Sequence, residues 1–210
     1  MSELPTRVEE ARQMALGYEA PPEGPSGRLW IPSGTGHRAA PVSQAFKQRL
    51  VDALLDLEPQ PGARLAVLGA DAGGLAARER QALRARIAFL PANGGMISNL
   101  NGWENIVLPL GYRDAKRVNA AFPKVHALIE RLGGHPRALL AKLPEEMTLY
   151  EKKLAGYVRI LLEAPELVVA ENLAGGLEPE DRRRTAAFPA AYHAERPDGV
   201  FVQLDDAPDD

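Results

Sequence analysis

The last third of this sequence alternates two apolar patterns, and the alternation restricts the chain to a narrow set of folds. From Thr148 to Glu163, the residues Tyr150, Leu154, Tyr157, Val158 and Leu161 recur at the spacing of one helical face. Leu167 to Ala170 is then wholly apolar, the pattern of a strand covered on both sides. Asp181 to Glu195 reads as a second helix, interrupted near Pro189, and Val200 to Leu204 as a second buried strand. A buried strand that leaves through a helix and returns as another buried strand predicts parallel pairing with helical crossovers. The fold class is α/β.

The middle of the chain continues the rhythm. Val42 to Leu57 places Phe46, Leu50, Val51, Leu54 and Leu55 on a helical stripe, closed by Glu58 and Pro59. A strand follows at Arg64 to Gly69, a short charged helix at Ala77 to Arg86, and a buried-type strand at Ile87 to Leu90. Pro91 to Asn101 reads as loop and Trp103 to Leu110 as a short segment. Asp114 to Leu132 then reads as a helix that Pro123 starts or kinks. Upstream, Arg7 to Leu16 reads as one short helix. Ala20 to Pro41 is so dense in proline and glycine that it reads as loop, with an extended piece at Arg28 to Ile31. The chain thus divides into a Pro/Gly-rich segment over 1–41 and a single domain over 42–210.

Charge and composition exclude several classes. With 25 Lys and Arg against 28 Asp and Glu, the net charge of -3 argues against a nucleic-acid binder, which needs a surplus of basic contacts on one face. The absence of cysteine removes disulfides, thiolate metal sites and cysteine nucleophiles. His37, His126, His135 and His193 show no metal-ligand spacing. The first residues lack the charged and apolar regions of a signal peptide, and no apolar run approaches the roughly 20 residues that cross a bilayer. These features predict a cytoplasmic chain without direct membrane insertion.

Several short segments then follow one another in a telling order. They are Leu50 to Pro59, Gly69 to Arg80, Ile87 to Pro91, and Asn99 to Leu110 with its Glu104-Asn105-Ile106. After them come Leu143 to Arg159, Pro165 to Asn172, and Gly176-Leu-Glu-Pro179. In this order they resemble the ATP-binding cassette (ABC) ATPases, the nucleotide-binding subunits of ABC transporters, over roughly Leu50 to Asp205. The matching parts are the helix after the phosphate loop, the hairpin and charged helix beyond it, the strand entering the Q-loop and the segment following that loop. The signature helix, the Walker B strand and the D-loop complete the set. The resemblance implies a P-loop NTPase-like parallel sheet with a helical subdomain over roughly 92–163.

The chemistry implied by the resemblance is missing at nearly every motif. A phosphate loop uses glycines so that successive N–H groups turn inward around the phosphates, with a lysine adding charge. Ile31-Pro-Ser-Gly-Thr-Gly-His-Arg38 has the glycines but lies too far upstream. Pro41-Val-Ser-Gln-Ala-Phe-Lys-Gln48 is in register, with Lys47 at the lysine position, but it lacks the glycines and the hydroxyl residue. Ala92 stands at the Q-loop glutamine, and Leu143-Pro-Glu-Glu-Met147 at the signature, where Glu145 and Glu146 would repel a triphosphate. Glu171 replaces the metal-binding aspartate of Walker B. Asn172 replaces the carboxylate that takes a proton from water, which an amide cannot do. Val202 to Asp206 fills the H-loop position without a histidine.

Together these point to a catalytically degenerate subunit, a binding, scaffold or regulatory partner that does not hydrolyse ATP. No catalytic residue, no metal and no cofactor are expected. Its implied partners are a transmembrane permease and a second ATPase-like subunit or another copy of itself, which would hold it at the inner face of the membrane. The alternative is a residual nucleotide-binding subunit that binds ATP and Mg²⁺ through Tyr18, Lys47 and Glu171 while a partner hydrolyses. A third reading is an unrelated α/β interaction domain. Trp103, Ile106, Val107 and Leu110 stand where the family receives the permease's coupling helix. The ordinary readings of the same residues are a solvated lysine, a half-buried tyrosine, a strand-end carboxylate paired with a base, and core packing around Trp103.

Overall fold

The computed structural model describes residues 7–22 and 27–207. The first part of the chain forms α1 (Arg7–Arg12), β1 (Met14–Glu19), β2 (Arg28–Pro32), β3 (Gly36–Val42), α2 (Gln44–Asp56) and β4 (Arg64–Val67). Next come β5 (Ala70–Asp71), α3 (Ala77–Arg84), β6 (Ile87–Leu90), α4 (Gly102–Arg113), α5 (Ala115–Ala120) and α6 (Phe122–Arg131). The remainder is α7 (Pro136–Ala141), α8 (Leu149–Glu163), β7 (Leu167–Glu171), α9 (Pro179–Thr185), α10 (Phe188–Glu195) and β8 (Val200–Asp206). The chain divides into two compact units. One comprises residues up to Phe89 with Glu166–Val169 and those from Asp198, and the other comprises Leu90–Pro165 and Ala170–Pro197.

The first unit holds two sheets. One has the order β3-β8-β7-β6 and the other β2-β1-β4-β5. β3 and β8 run parallel, with Val42 opposite Asp206. Glu166 N–H donates to Arg86 O (2.8 Å) and Val200 N–H to Glu166 O (2.9 Å), so β6, β7 and β8 start abreast, as parallel strands joined by crossovers must. β7 is buried at Leu167 through Ala170, as its unbroken apolar run requires. Leu50, Leu54, Leu65, Val169 and Val202 belong to one core with β1's Leu16 and Tyr18.

The second unit is helical and centres on α8. Its N-cap Thr148 and Glu151 form a reciprocal capping box, and Leu154, Tyr157, Val158 and Leu161 are fully buried. Tyr157 stacks on Phe188 with centroids 4.1 Å apart. The hydroxyls of this unit's buried tyrosines also have carbonyl partners: Tyr150 donates to Leu132 O, Tyr157 to Phe188 O and Tyr192 to Pro165 O.

Three expectations change at the amino-terminal side and in the middle. The helix predicted over Arg7 to Leu16 ends at Arg12, and β1 takes over from Met14. Antiparallel pairing on both sides of β1, with β2 and β4, overrides the helical preference of Ala15 and Leu16, which are strong helix formers. In the stretch Ala20 to Pro41 the extended piece expected at Arg28 to Ile31 is β2, and a second strand, β3, forms where loop was expected. Gly34 and Gly36 take positive φ in the turn between them, and Pro41 is accommodated because β3 is an edge strand. Residues 1–6 and 23–26 of the predicted N-terminal segment lie outside the described residues. The helix predicted over Asp114 to Leu132 is two helices, with Pro123 in the first turn of α6, and α7 was not foreseen.

Candidate functional site

The junction of β3 and α2 is where the in-register lysine lies. A single residue, Ser43, separates strand from helix, and it caps the helix by accepting from Phe46 N–H (3.4 Å). Lys47 N–H already donates to Ser43 O in helical fashion (2.9 Å). Gln44, Ala45 and Phe46 are therefore helix, not a loop with inward-turned amides. Phe46 is buried, edge-on to Tyr18 with centroids 5.3 Å apart. Its ring fills the space where a Cβ on Gly27 would have to sit. Lys47 is fully buried and its Nζ is ion-paired with Asp206, at the carboxyl end of β8.

Lys47 therefore matches neither a solvated helix lysine nor a side chain projecting into an open cradle. Tyr18 lies between Leu29 and Leu65 in the antiparallel sheet and is wholly buried. Its hydroxyl has no hydrogen-bond partner among the described residues, and burial pushes its phenol above the usual range. Its ring packs on Phe46 and offers no open face for stacking a base. The glycine-bearing segment from Ile31 to Arg38 forms the end of β2, a turn and the start of β3, so it precedes the strand instead of following it.

Glu171, the last residue of β7, lies in the second unit, where its Oε2 accepts from Ala92 N–H (3.3 Å). The Walker B and Q-loop positions therefore touch, carboxylate to backbone. Asn172 follows at φ 42°, in left-handed backbone. Beneath this loop sits a residue that sequence reasoning missed. Lys153 is buried on α8 and donates to Asn172 O (2.7 Å), Leu173 O (3.1 Å) and Gly175 O (2.8 Å). Its three N–H donors meet three carbonyls, which is what a buried ammonium needs. The signal was present, because Lys153 falls on the apolar stripe between Tyr150 and Tyr157.

The segment after β6 is fastened to the helices around it. Asn105 is fully buried; its side chain accepts from Ile97 N–H (2.8 Å) and donates to Leu100 O (2.8 Å), among other carbonyls of the loop. Arg159 donates twice to Gly95 O (3.0 Å each), and burial lowers its pKa. Gly94 and Gly156 let this loop lie backbone to backbone on α8, since a Cβ at either would overlap the other segment's main chain. At the signature position, Pro144–Glu146 makes a 3₁₀ turn with Glu145 and Glu146 exposed. Helix α8 starts only after it.

Of the proposed partner-binding residues, Ile106, Val107 and Leu110 are buried in the second unit, so the four do not line a groove. Trp103 is half-buried and edge-on to Phe122 (5.5 Å), which is 49% exposed. The surface there is an aromatic pair, Trp103 with Phe122. Among the described residues no three His, Asp or Glu side chains gather as metal ligands, and no helix is long and apolar enough to cross a membrane.

No family model matches the chain. It is 28% identical over 157 residues to the methionine import ATP-binding protein MetN 1 of Rhodococcus jostii, covering 74% of this chain and 46% of that protein. It is 28% identical over 175 residues to the lipoprotein-releasing system ATP-binding protein LolD 2 of Caulobacter vibrioides, covering 82% and 70% respectively. A third relative, the phosphonates import ATP-binding protein PhnC 1 of Pseudomonas savastanoi, is 28% identical over 172 residues, covering 73% and 60%. The chain thus spans about half to two thirds of the length of these relatives. Among solved structures, CbiO1 of Clostridium perfringens, part of the ABC transporter complex CbiONQ, superposes with a TM-score of 0.67 at 12% identity, covering 93% of this chain and 79% of that one. The ATP-binding cassette MJ0796, bound to ADP and Pi, superposes with a TM-score of 0.63 at 14% identity, covering 92% and 88%. Segment order, parallel sheet, relatives and superposition agree: the homologues of this chain are ATP-binding subunits of ABC transporters, and its fold is that of the ABC ATPases.

Proposed function

We propose that this chain is a catalytically silent ABC ATPase-like subunit, which serves a transport complex as a scaffold or regulatory partner and does not hydrolyse ATP. The observation that carries the reading is the state of Lys47: buried, in a continuous helix, and already neutralised by Asp206. A Mg-triphosphate needs inward-turned amides, a free cation and a metal ligand together, because phosphoryl transfer depends on positioning and charge neutralisation. The residues present do not fit it. Phe46 occupies the place of a glycine and Lys47 is engaged. Asn172 lacks the proton-accepting oxygen of a carboxylate, and its neighbour Glu171 is held on the Ala92 amide. The relatives are named as ATP-binding proteins of import and lipoprotein-releasing systems. In that setting the partners of this chain are a transmembrane permease and a second ATPase-like subunit. The Trp103–Phe122 pair is the surface offered to the permease, whose attachment places the chain at the inner face of the membrane.

Thermal unfolding with and without millimolar MgATP tests the reading, alongside phosphate release. A ligand at about 100 times its Kd stabilises by about 2.7 kcal/mol, a shift of several degrees at this size. The expected result is no shift and no release above buffer. A clear shift without turnover would replace the proposal with the residual nucleotide-binding subunit, and turnover would overturn both.

A further inference from the structure

We infer that the loop between β7 and α9 is a binding nest for a small monovalent cation, and that this chain fills it with its own Lys153 ammonium. The inference goes beyond the silent-subunit reading and holds whether or not nucleotide binds. Three observations lead to it. First, the carbonyls of Asn172, Leu173 and Gly175 converge on Lys153 Nζ at 2.7, 3.1 and 2.8 Å. Carbonyls aimed at one spot repel one another unless a positive charge stands between them. Rings of backbone carbonyls replace the water shell of potassium in the same way. Second, the chain bends to bring them together. Asn172 has φ 42° and Gly176 φ 71°, so left-handed backbone stands at both ends of the run of acceptors. Gly175 N–H donates to Asn172 O (2.9 Å), so one oxygen both closes the turn and serves the ammonium. Third, Lys153 is 1% exposed and stands on the apolar stripe of α8, between Tyr150 and Tyr157. A charge in such a place has lost its water, and it is tolerated only where acceptors are arranged to receive it. Helical packing asks for an apolar side chain at this position, so the ammonium is there for the loop. Lys153 is thus a positioning residue. It sets the course of the chain from Asn172 to Gly176, directly after Glu171, whose carboxylate accepts from Ala92 N–H.

The test compares wild type, Lys153→Ala and Lys153→Met in methylammonium chloride or choline chloride at matched ionic strength. Choline carries the same charge, but its methyl groups bar it from the carbonyls. Unfolding and refolding in each salt lets the cation reach the nest as the chain folds. Lys153→Ala vacates the space of the side chain and takes a donor from three carbonyls; in choline it is expected to lower Tm by about 5–12 °C. Methylammonium is expected to restore about 2–4 °C of that loss. Lys153→Met fills the space without a charge, so it should lose a similar amount and, like wild type, should not distinguish the salts. Amide hydrogen exchange at residues 173–176 is expected to rise about tenfold more than elsewhere in both variants in choline, and to fall back in Lys153→Ala with methylammonium. Exchange in Lys153→Met that rises at 173–176 no more than in the rest of the protein overturns the inference, and this readout serves if the alanine variant does not fold. A folded Lys153→Ala with no preference for methylammonium over choline also overturns it. So does an equal preference in Lys153→Met or wild type, because the cation would then act away from the nest. None of these failures alters the MgATP result on which the proposed function is judged.

Discussion

At the residue scale, what distinguishes this molecule is where it keeps its ionisable groups. Lys47 and Lys153 are both buried, and each is neutralised or fully hydrogen-bonded from within. Tyr150 is buried as well, and desolvation pushes its phenol up to about 12, against a partly compensating attraction from Arg184. The unfolded chain ionises this group near pH 10 while the folded chain keeps it protonated. The unfolded state therefore binds fewer protons in that interval, and stability falls as pH rises from about 10 to about 12. Below pH 10 the contribution is fully present. Tyr150→Phe is expected to cost about 1 kcal/mol at neutral pH through loss of the bond to Leu132 O. It should also remove about 2–3 kcal/mol of the alkaline loss. Urea titrations at pH 8 and at pH 11.5 check this; parallel pH dependence in wild type and variant would refute it. Part of the slope persists in the variant, because burial also raises Tyr18 and Tyr157.

At the element scale, the loop after β6 is the part most dependent on small residues. Gly156 lies within α8, where alanine would ordinarily stabilise by about 1 kcal/mol. Here a Cβ would overlap Gly94 O, so Gly156→Ala is expected to destabilise by about 1–3 kcal/mol. It should also raise amide hydrogen exchange at residues 93–97, and a gain in Tm would count against this packing. The same elements show what the sequence made legible. The helices over α2 and α8 and the strands β6, β7 and β8 were readable because their periodicity or unbroken apolar character leaves little choice. β1 and β3 were not, since Ala15-Leu16 and the Gly/Pro-rich run become strand only through pairing with distant partners. Around the candidate site, the loss of glycines before Lys47 was visible in the residue types. The engagement of Lys47 by Asp206, 159 positions away, was not, because an ion pair between a helix and the end of a distant strand leaves no local pattern. Lys153 interrupted an apolar stripe and was legible in principle, although its three carbonyl partners lie in a loop some twenty residues on.

At the scale of the whole molecule, acidic and basic residues nearly cancel, 28 against 25, and among the described residues no helix could span a bilayer. In the proposed role, attachment to a membrane runs through the permease. In flotation with vesicles of phosphatidylethanolamine and phosphatidylglycerol, the chain is expected to stay with the soluble fraction. Co-flotation at moderate salt would argue for direct lipid contact and against dependence on a permease. The one-residue link between β3 and α2 bears on how the present state could be undone. A glycine at position 46 would remove the phenyl ring but leave Lys47 N–H on Ser43 O and Nζ on Asp206. The first turn of the helix would also have to unwind before any amide faced a ligand. An open cradle at this junction therefore requires sequence and backbone to change together, because no single substitution frees both the helix amides and the Lys47 side chain.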